Sequence, residues 1–327
     1  MAQPSLTAPA LPDAQRQWTG LVLAMLGAAL FATKGIVIKL ALAQGIDILT
    51  TLTWRMIVSV PIFVVVGLWG YRRKVRQSPA GAKPPLDAKA LLQAFGVGII
   101  GYYVASYLDF SALNYISAQF DRLILLTYPF FVVLFGAVFF KRRVTGAMLA
   151  ALVASYAGIA IIFWRDFHVE GDHVLLGAAL VFGSSIAYAA YQILAKPLID
   201  RMGSQLFTSL AMSAAGPAVI AHFLATNDFQ ALLVPGEALW LMLAIGTVST
   251  VLPAYCISAA IGLIGSERTA VVGNVSPVVT ITLAVGVLGE AFTPYHAAGA
   301  ALVLAGVWLF SRKGKPRPVP EPAEIEP

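Results

Sequence analysis

Charged side chains are scarce in this sequence. Asp, Glu, Lys and Arg make up only 12% of its 327 residues, and the mean hydropathy is +0.81. A soluble domain carries about 25% charged residues, so this chain cannot cover a water-facing surface. We expect an integral membrane protein. It should be helical, because its apolar runs are about 20 residues long rather than alternating strands of about ten.

Cysteine is almost absent as well, since Cys256 is the only one. A single thiol excludes an internal disulfide and a cysteine cluster. The sequence has no GxxxxGK[ST] signature and no soluble stretch long enough for a nucleotide-binding domain, which argues against an ATP-driven pump. The polar first residues lack a basic n-region, so no cleaved signal peptide is expected.

Groups for catalysis are missing from the apolar runs. No histidine and no acidic pair is predicted deep inside one, whereas an intramembrane enzyme needs a nucleophile with a base, or a metal cluster. His168 and His173 fall in the acidic segment Arg165–His173, where solvated side chains are a better interpretation than a metal site. We therefore expect no cofactor and no metal. The formal charge of +6 is assigned to membrane topology rather than to nucleic-acid binding.

Ten apolar runs are present, and each must be a helix because hydrocarbon leaves no other way to satisfy the backbone. The runs are Leu21–Ala43, Thr51–Gly70, Ala90–Leu113, Leu123–Phe140, Val144–Trp164, Val174–Leu194, Leu206–Ala225, Leu239–Ile261, Thr269–Leu288 and Tyr295–Phe310. They predict one five-helix repeat at 18–164, an external loop at 165–173 and a second repeat at 174–311. Residues 1–17 and 312–327 are expected to be disordered tails.

The basic residues predict the orientation of these helices. With ten crossings and a cytoplasmic N-terminus, 17 of the 22 Lys and Arg residues fall on the cytoplasmic side. These are Arg16, Arg72, Arg73, Lys74, Arg76, Lys83, Lys89, Lys141, Arg142, Arg143, Lys196, Arg201, Arg268, Arg312, Lys313, Lys315 and Arg317. The positive-inside rule therefore predicts a multi-pass protein of a bacterial inner membrane with both termini in the cytoplasm.

A duplicated layout relates the two predicted repeats. When Thr269–Leu288 and its surroundings are moved back by 148 residues, Pro277 falls on Pro129 and Gly306 on Gly158. A five-helix unit crosses the membrane an odd number of times, so its copy must be inverted. Inverted repeats are typical of secondary transporters, whose substrate site lies between the halves. Pro129 and Pro277 each remove a helical hydrogen bond and are expected to kink their helices.

Several short motifs accompany this layout. They are Phe31–Leu40 (FATKGIVIKL) with Lys39, the two prolines Pro129 and Pro277, and Leu288-Gly289-Glu290 before the last helix. In these features the chain resembles the drug/metabolite transporter superfamily, specifically its EamA-like ten-helix branch. The matching link in the first half, Phe140-Lys141-Arg142, lacks the glutamate of that family. The resemblance implies a secondary carrier of small metabolites, often an exporter, that works without ATP.

Lys34 is the sharpest candidate for a substrate contact. It lies 13 residues beyond Leu21, which is about 20 Å along a helix and too deep for easy snorkelling. A lysine there costs roughly 3 kcal/mol on insertion scales, so it should face the protein interior or water. It could attract a carboxylate of the substrate, or it could form an ion pair with a neighbouring acid.

Other charges near the helix ends are candidates for gating or coupling. Lys39 and Asp109 are predicted at similar depth on the first and third helices and could pair with each other. Arg122 belongs to the same group, and Asp109 is the best candidate for a proton relay. The alternative is that these charges snorkel or cap helices. The sequence leaves proton coupling open.

Two polar stripes at helical spacing predict the lining of a cavity. Tyr103, Tyr107, Phe110 and Asn114 share a face of the third helix, and Ser184, Tyr188, Tyr191 and Gln192 share a face of the sixth. Asn274, between Gly273 and Pro277, is a further candidate. Tyr, Gln and Asn side chains can both stack on and hydrogen-bond a ligand. Hydrogen bonds between helices or an interfacial tyrosine belt are the alternatives.

We therefore expect an all-α carrier, with a lipid bilayer and a small metabolite as its partners. Amino acids or related carboxylate-bearing compounds fit Lys34 best, and export follows from the family resemblance alone. A channel, a membrane scaffold or a sensor remain alternatives. Small residues in pairs four apart, Ala154 with Gly158 and Ala301 with Ala305, permit close helix contact within the chain or in a homodimer.

Overall fold

The structure is a computed structural model that describes residues 13–77, 86–140, 146–264, 272 and 275–313. All secondary structure in these ranges is helical. The helices are α1 Asp13–Ala43, α2 Ile48–Gln77, α3 Ala88–Gly98, α4 Ala105–Ala112, α5 Ala118–Leu125, α6 Tyr128–Phe140, α7 Gly146–Glu170, α8 His173–Met202, α9 Ser204–Thr226, α10 Gly236–Gly246, α11 Leu252–Ile264, α12 Ser276–Leu288 and α13 Pro294–Lys313. A short 3₁₀ helix, Phe229–Leu232, precedes α10.

The expected all-helical membrane architecture is confirmed. Within the described residues, eight helical stretches are long and apolar enough to cross a membrane, and Ser276–Leu288 and Pro294–Leu309 are shorter apolar helices. In chain order these ten segments correspond to the ten predicted runs. The ninth is described only from Ser276 to Leu288, since residues 265–271, 273 and 274 lie outside the described residues.

Three boundaries differ from those expected. Helix α1 begins at Asp13 and α13 ends at Lys313, so residues 13–17, 312 and 313 are helical rather than part of disordered tails. Helix α7 continues to Glu170, which leaves Gly171 and Asp172 between it and α8. Hydropathy shows where the side chains of a helix become polar. The helical backbone can continue for another turn or more beyond that point, where its polar side chains reach water.

The helices of the two halves pack as a repeated arrangement. Helix α7 packs along α13, and α2 packs along α9. Helix α1 packs against α11 and α12, and its counterpart α8 packs against α4 and α6. Likewise α2 contacts α10, and α9 contacts α3. Exchanging the halves therefore leaves this pattern of contacts unchanged, as a duplicated fold requires.

The crossing of α7 and α13 lies on the axis that relates the halves. Gly158 lies against the carbonyl oxygen of Gly299, and Gly306 lies against that of Ala151. Gly306 follows Gly158, and Gly299 follows Ala151, by the same 148 residues, so the two contacts are equivalent. A Cβ at either Gly158 or Gly306 would overlap the facing backbone, which explains why both are glycine.

Only some of the small residues that were expected at a close helix contact lie at the crossing of α7 and α13. Gly158 is at the contact, but Ala301 and Ala305 are exposed on α13. Ser155 instead donates a hydrogen bond to the carbonyl of Val303, 148 residues away, at 3.4 Å. The close helix contact is thus made within the chain.

Two π-helical turns interrupt the long helices at equivalent places. One is Ile99–Val104 between α3 and α4, and the other is Thr247–Val251 between α10 and α11, which begins 148 residues later. Each follows a glycine, Gly98 or Gly246. A Cβ on these glycines would overlap Ala211 of α9 or Val58 of α2, so both π turns begin where the two halves touch. Such turns are frequent at functional sites.

Pro129 and Pro277 begin helices instead of kinking continuous ones. Helix α5 ends at Leu125 and α6 begins at Tyr128, so Pro129 falls in the first turn of α6, where its missing N–H costs nothing. Pro277 holds the same position in α12. The predicted kink in the first half is therefore an interruption of the helix at Leu126 and Thr127. In the second half, the residues before Val275 lie mostly outside the described ranges.

Candidate functional site

The predicted candidate Lys34 forms a buried ion pair. Its Nζ lies 2.5 Å from Oδ2 of Asp109 on α4, and the two side chains are 12% and 3% exposed. Asp109 therefore pairs with Lys34, where the sequence suggested Lys39. Five residues separate the two lysines, which rotates them about 140° apart on α1. Lys39 instead lines a cavity with Asn114 and other polar residues.

Two more cations and one more acid surround this pair. Arg55 of α2 and both Asp121 and Arg122 of α5 join Lys34 and Asp109 to form what we term the charged cluster. Asp121 is close enough to Asp109, Lys34 and Arg122 to interact electrostatically. Arg55, Asp109 and Asp121 are buried. Asp109 and Asp121 are thus two buried acids that lie close enough to interact.

Aromatic rings separate the three cations of the charged cluster. The Phe31 ring has Lys34 Nζ at 5.2 Å and the guanidinium carbon of Arg122 at 5.1 Å from its centroid. The Phe110 ring has Lys34 Nζ and the guanidinium carbon of Arg55 both at 5.5 Å. Each ring can stabilise a cation on its face and holds like charges apart. Three cations can therefore share one buried site.

The charged cluster lies where the first half meets the second. Its five members come from α1, α2, α4 and α5, but Arg122 donates to the Ser276 hydroxyl of α12. Arg55 donates through Nε to the Thr250 hydroxyl at 3.1 Å, inside the second π turn. Through its NH1 nitrogen it also donates to Ser106, two residues after the first π turn. A movement of one half against the other would change these contacts.

Three polar atoms of the charged cluster are buried and have no hydrogen-bond partner among the residues that the structure describes. They are Oδ1 of Asp109, Oδ1 of Asp121 and Nε of Arg122. Buried side-chain polar atoms in proteins are nearly always hydrogen-bonded, and leaving one unpaired costs about 1–3 kcal/mol. Three such atoms in one cluster indicate a site that can form further hydrogen bonds to a ligand.

Four tyrosines form a layer beside the charged cluster. The hydroxyls of Tyr102 and Tyr191 are 2.9 Å apart, Tyr191 stacks on Tyr188, and Tyr188 meets Tyr128 edge to face. Arg122 is close enough to Tyr128 and Tyr188 to interact with them electrostatically. The structure thus places the candidates Tyr188 and Tyr191 next to the charged cluster. The candidate Gln192 lies close enough to Tyr188 to interact with it.

The other candidates from the polar stripes separate into two groups. Ser184 is buried and donates to the carbonyl of Ala105 at 2.8 Å, which is the alternative of a hydrogen bond between helices. Tyr103 and Tyr107 instead pack around His222 of α9, whose Nδ1 lies 2.9 Å from the Tyr103 hydroxyl. Tyr107, Asn114 and His222 line a cavity of about 590 Å³, while Phe110 lies in the core. Asn274 lies outside the described residues.

A smaller cavity of about 280 Å³ is lined by Lys39, Asn114, Gln119, Arg165, Glu290 and His296. Glu290, from the motif that precedes the last helix, caps α5 across the interface between the halves. Its Oε1 and Oε2 accept hydrogen bonds from the backbone N–H groups of Ala118 at 2.7 Å and Gln119 at 3.3 Å. Ser117 accepts a further bond from the same helix end. Glu290 therefore holds the start of the helix that carries Asp121 and Arg122.

No group of three or more metal-ligating side chains occurs among the described residues. His168 contacts the carbonyl oxygen of Trp164 in the last turns of α7. His296 is buried, with its Nε2 at 3.4 Å from Asp166.

Known proteins share this sequence pattern over nearly the whole chain. The model of the EamA-like transporter family matches residues 18–164 and 175–312. An uncharacterized transporter of Bacillus subtilis, YcbK, is 28% identical over 83% of this chain and 86% of its own length. A probable amino-acid metabolite efflux pump of Escherichia coli is 24% identical over 70% of this chain and 78% of its own.

Two further proteins are similar to this chain. A probable terminal-alkyne amino-acid exporter of Streptantibioticus cattleyicolor is 27% identical over 84% of this chain and 95% of its own. One protein crystal structure has the same fold, with a TM-score of 0.59 at 17% identity, over 91% of this chain and 99% of the other. Since the family model covers both halves of the molecule, the chain belongs to the EamA-like transporter family.

Proposed function

We propose that the protein is a secondary carrier that exports small carboxylate-bearing metabolites, amino acids among them. The observation that carries the proposal is the Lys34–Asp109 pair within the charged cluster, between the two halves. A buried lysine is costly to keep in a membrane, and intramembrane charges of this kind mark substrate pathways. The relatives named as amino-acid efflux pumps and exporters support both the substrate class and the direction.

Alternating access gives each element of the site a role. Rocking of one half against the other would open the charged cluster to each side of the membrane in turn. The π turns lie at the contacts between the halves, and Arg55 joins the cluster to the second π turn and to Ser106, two residues after the first. The tyrosine layer offers aromatic and hydroxyl contacts to the rest of the substrate.

Proton coupling extends the same proposal, with Asp109 as the relay. It is buried, and the charges that face it are Lys34, Arg55, Asp121 and Arg122. Protonation of Asp109 would remove its charge and so release whichever cation is paired with it, Lys34 or an ammonium group of the substrate. A transport rate that ignores an imposed pH gradient would contradict this part of the proposal.

The experiment compares metabolites in the medium of cells that produce wild type, Lys34→Ala or Lys196→Ala at equal membrane abundance. Lys196 is the matched control, because it pairs with Asp200 on an exposed helix face. We expect a small set of carboxylate-bearing metabolites to accumulate outside with wild type and Lys196→Ala, and not with Lys34→Ala. Equal profiles for all three proteins would contradict the proposal.

Counterflow in proteoliposomes separates a carrier from a channel. A carrier loaded with unlabelled substrate accumulates labelled substrate transiently, because both share one alternating site. A channel gives no such overshoot. The metabolites found in the medium serve as the probes, and Lys34→Ala serves as the inactive reference.

A further inference from the structure

The unpartnered atoms of the charged cluster have complementary chemistry. Arg122 Nε is a donor that needs an acceptor, and the Oδ1 atoms of Asp109 and Asp121 are acceptors that need donors. A carboxylate would satisfy the first, and an ammonium group would satisfy the other two. The α-carbon of an amino acid carries these two groups side by side.

We propose that the charged cluster binds the zwitterionic head group of an α-amino acid, which enters by exchanging partners with the Lys34–Asp109 ion pair. The substrate carboxylate takes Lys34 Nζ and Arg122 Nε, and the substrate ammonium takes the oxygens of Asp109 and Asp121. This subsite rests on the proposed function and narrows its substrate class, from carboxylate-bearing metabolites in general to compounds with a free ammonium beside the carboxylate.

The exchange conserves both the charge and the pairing of the site. When it is empty, Lys34 and Asp109 neutralise each other, so neither is a lone charge in a low-dielectric interior. A zwitterion adds no net charge and supplies one partner to each. A ligand with only a carboxylate would take Lys34 and leave Asp109 without its ion-pair partner at 2.5 Å. A ligand with only an ammonium would take Asp109 and leave Lys34 without that partner.

Selectivity between ligands therefore arises from the free-energy cost of leaving Lys34 or Asp109 without its ion-pair partner. A site that hydrogen-bonds a ligand group rejects the analogue that lacks it, because buried polar partners are then unpaired. A hydrogen bond to a charged group contributes about 1.5–3 kcal/mol, which corresponds to about a tenfold to hundredfold loss of affinity. The side chain of the amino acid would lie towards the tyrosine layer, which Arg122 adjoins.

The test measures binding to the purified full-length protein and does not require transport. Thermal stabilisation is recorded with each proteinogenic amino acid, and then with the N-acetyl and the amide derivative of every one that stabilises. We expect the free amino acid to bind at least about tenfold more tightly than either derivative. Equal binding of the N-acetyl derivative, or no stabilisation by any free amino acid at millimolar concentration, would overturn the inference.

Two double variants separate a binding role from a structural one. Lys34→Gln/Asp109→Asn removes both charges and so leaves neither one stranded, which favours folding over either single change. Lys196→Gln/Asp200→Asn does the same to an exposed pair. We expect the first variant to stay folded and lose its preference for free amino acids, and the second to keep it. Wild-type preference in the first variant would overturn the proposal.

The outcomes also distinguish this inference from the proposed function. Selective binding of free amino acids without counterflow would retain the subsite and refute the carrier. Counterflow of carboxylates with no preference for a free ammonium would retain the carrier and refute the subsite.

Discussion

Glu290 offers the sharpest test of how the second half supports the charged cluster. Its carboxylate accepts two backbone hydrogen bonds at the N-terminus of α5, from Ala118 and Gln119. Losing an N-cap typically costs about 0.5–2 kcal/mol, and a carboxylate at a helix N-terminus adds about 0.3–1 kcal/mol through the helix dipole. Ser117 still caps the Phe120 N–H, so part of the helix end remains satisfied.

We therefore expect Glu290→Ala to lower the free energy of unfolding by about 1–2 kcal/mol. Glu290→Gln keeps one acceptor oxygen but loses the charge, and should lie roughly midway. Glu237→Ala is the matched control, because Glu237 is an acid in the first turn of α10 in a helix whose N-cap makes no side-chain hydrogen bond. Unfolding is followed by circular dichroism in mixed detergent micelles.

The same variants have a second readout. Helix α5 carries Asp121 and Arg122, so a loosened N-terminus should also weaken binding to the charged cluster. We expect amino-acid affinity to fall in the order wild type, Glu290→Gln, Glu290→Ala. If Glu290→Ala were as stable as Glu237→Ala, the cap would contribute nothing. If stability fell while affinity stayed constant, the cap would not position the cluster.

Two further predictions concern packing and pH. Gly158→Ala should destabilise the protein by about 1–3 kcal/mol, since its Cβ would overlap the carbonyl of Gly299. Gly286→Ala, in an open helical position, should be neutral or stabilising in the same unfolding assay. A hydrogen bond from Arg201 lowers the pKa of the Asp87 carboxyl below 3.8, so its stabilisation is present above that value and is lost as pH falls through the lowered pKa. Asp87→Asn should therefore lower the thermal midpoint at neutral pH and lose this effect in acid, whereas a constant difference would contradict the assignment.

The sequence predicted the duplication, but it did not predict the two π turns that mark the duplication most specifically. Pro129 and Pro277 revealed the spacing because proline has a recognisable effect on a helix. The π turns at Ile99–Val104 and Thr247–Val251 repeat at the same spacing and remained hidden. A π turn inserts one residue into the helical period, and a run that is apolar on every face shows no shift in pattern. Gly98 and Gly246, at the same spacing, were the available signal.

Lys34 was recognised from sequence, while its partner was not. Depth along a helix follows from counting residues, and by that measure Lys39 and Asp109 were a plausible pair. The direction in which a side chain points depends on how each helix is rotated against its neighbours. That rotation is set by close contacts such as Gly27 of α1 against Ile257 of α11. Contacts of this kind lie far apart in sequence, so only the folded structure shows which lysine faces α4.

The place of Asp121 and Arg122 within a helix of the bundle has a related cause. A hydropathy scan begins the fourth run at Leu123, because it treats every charge as a boundary of the membrane core. Helix α5 in fact begins at Ala118, because Glu290 and Ser117 supply acceptors for its first N–H groups. Charges can then lie inside the bundle, where they satisfy one another. Hydropathy therefore misplaces helix ends most where charges are buried between helices.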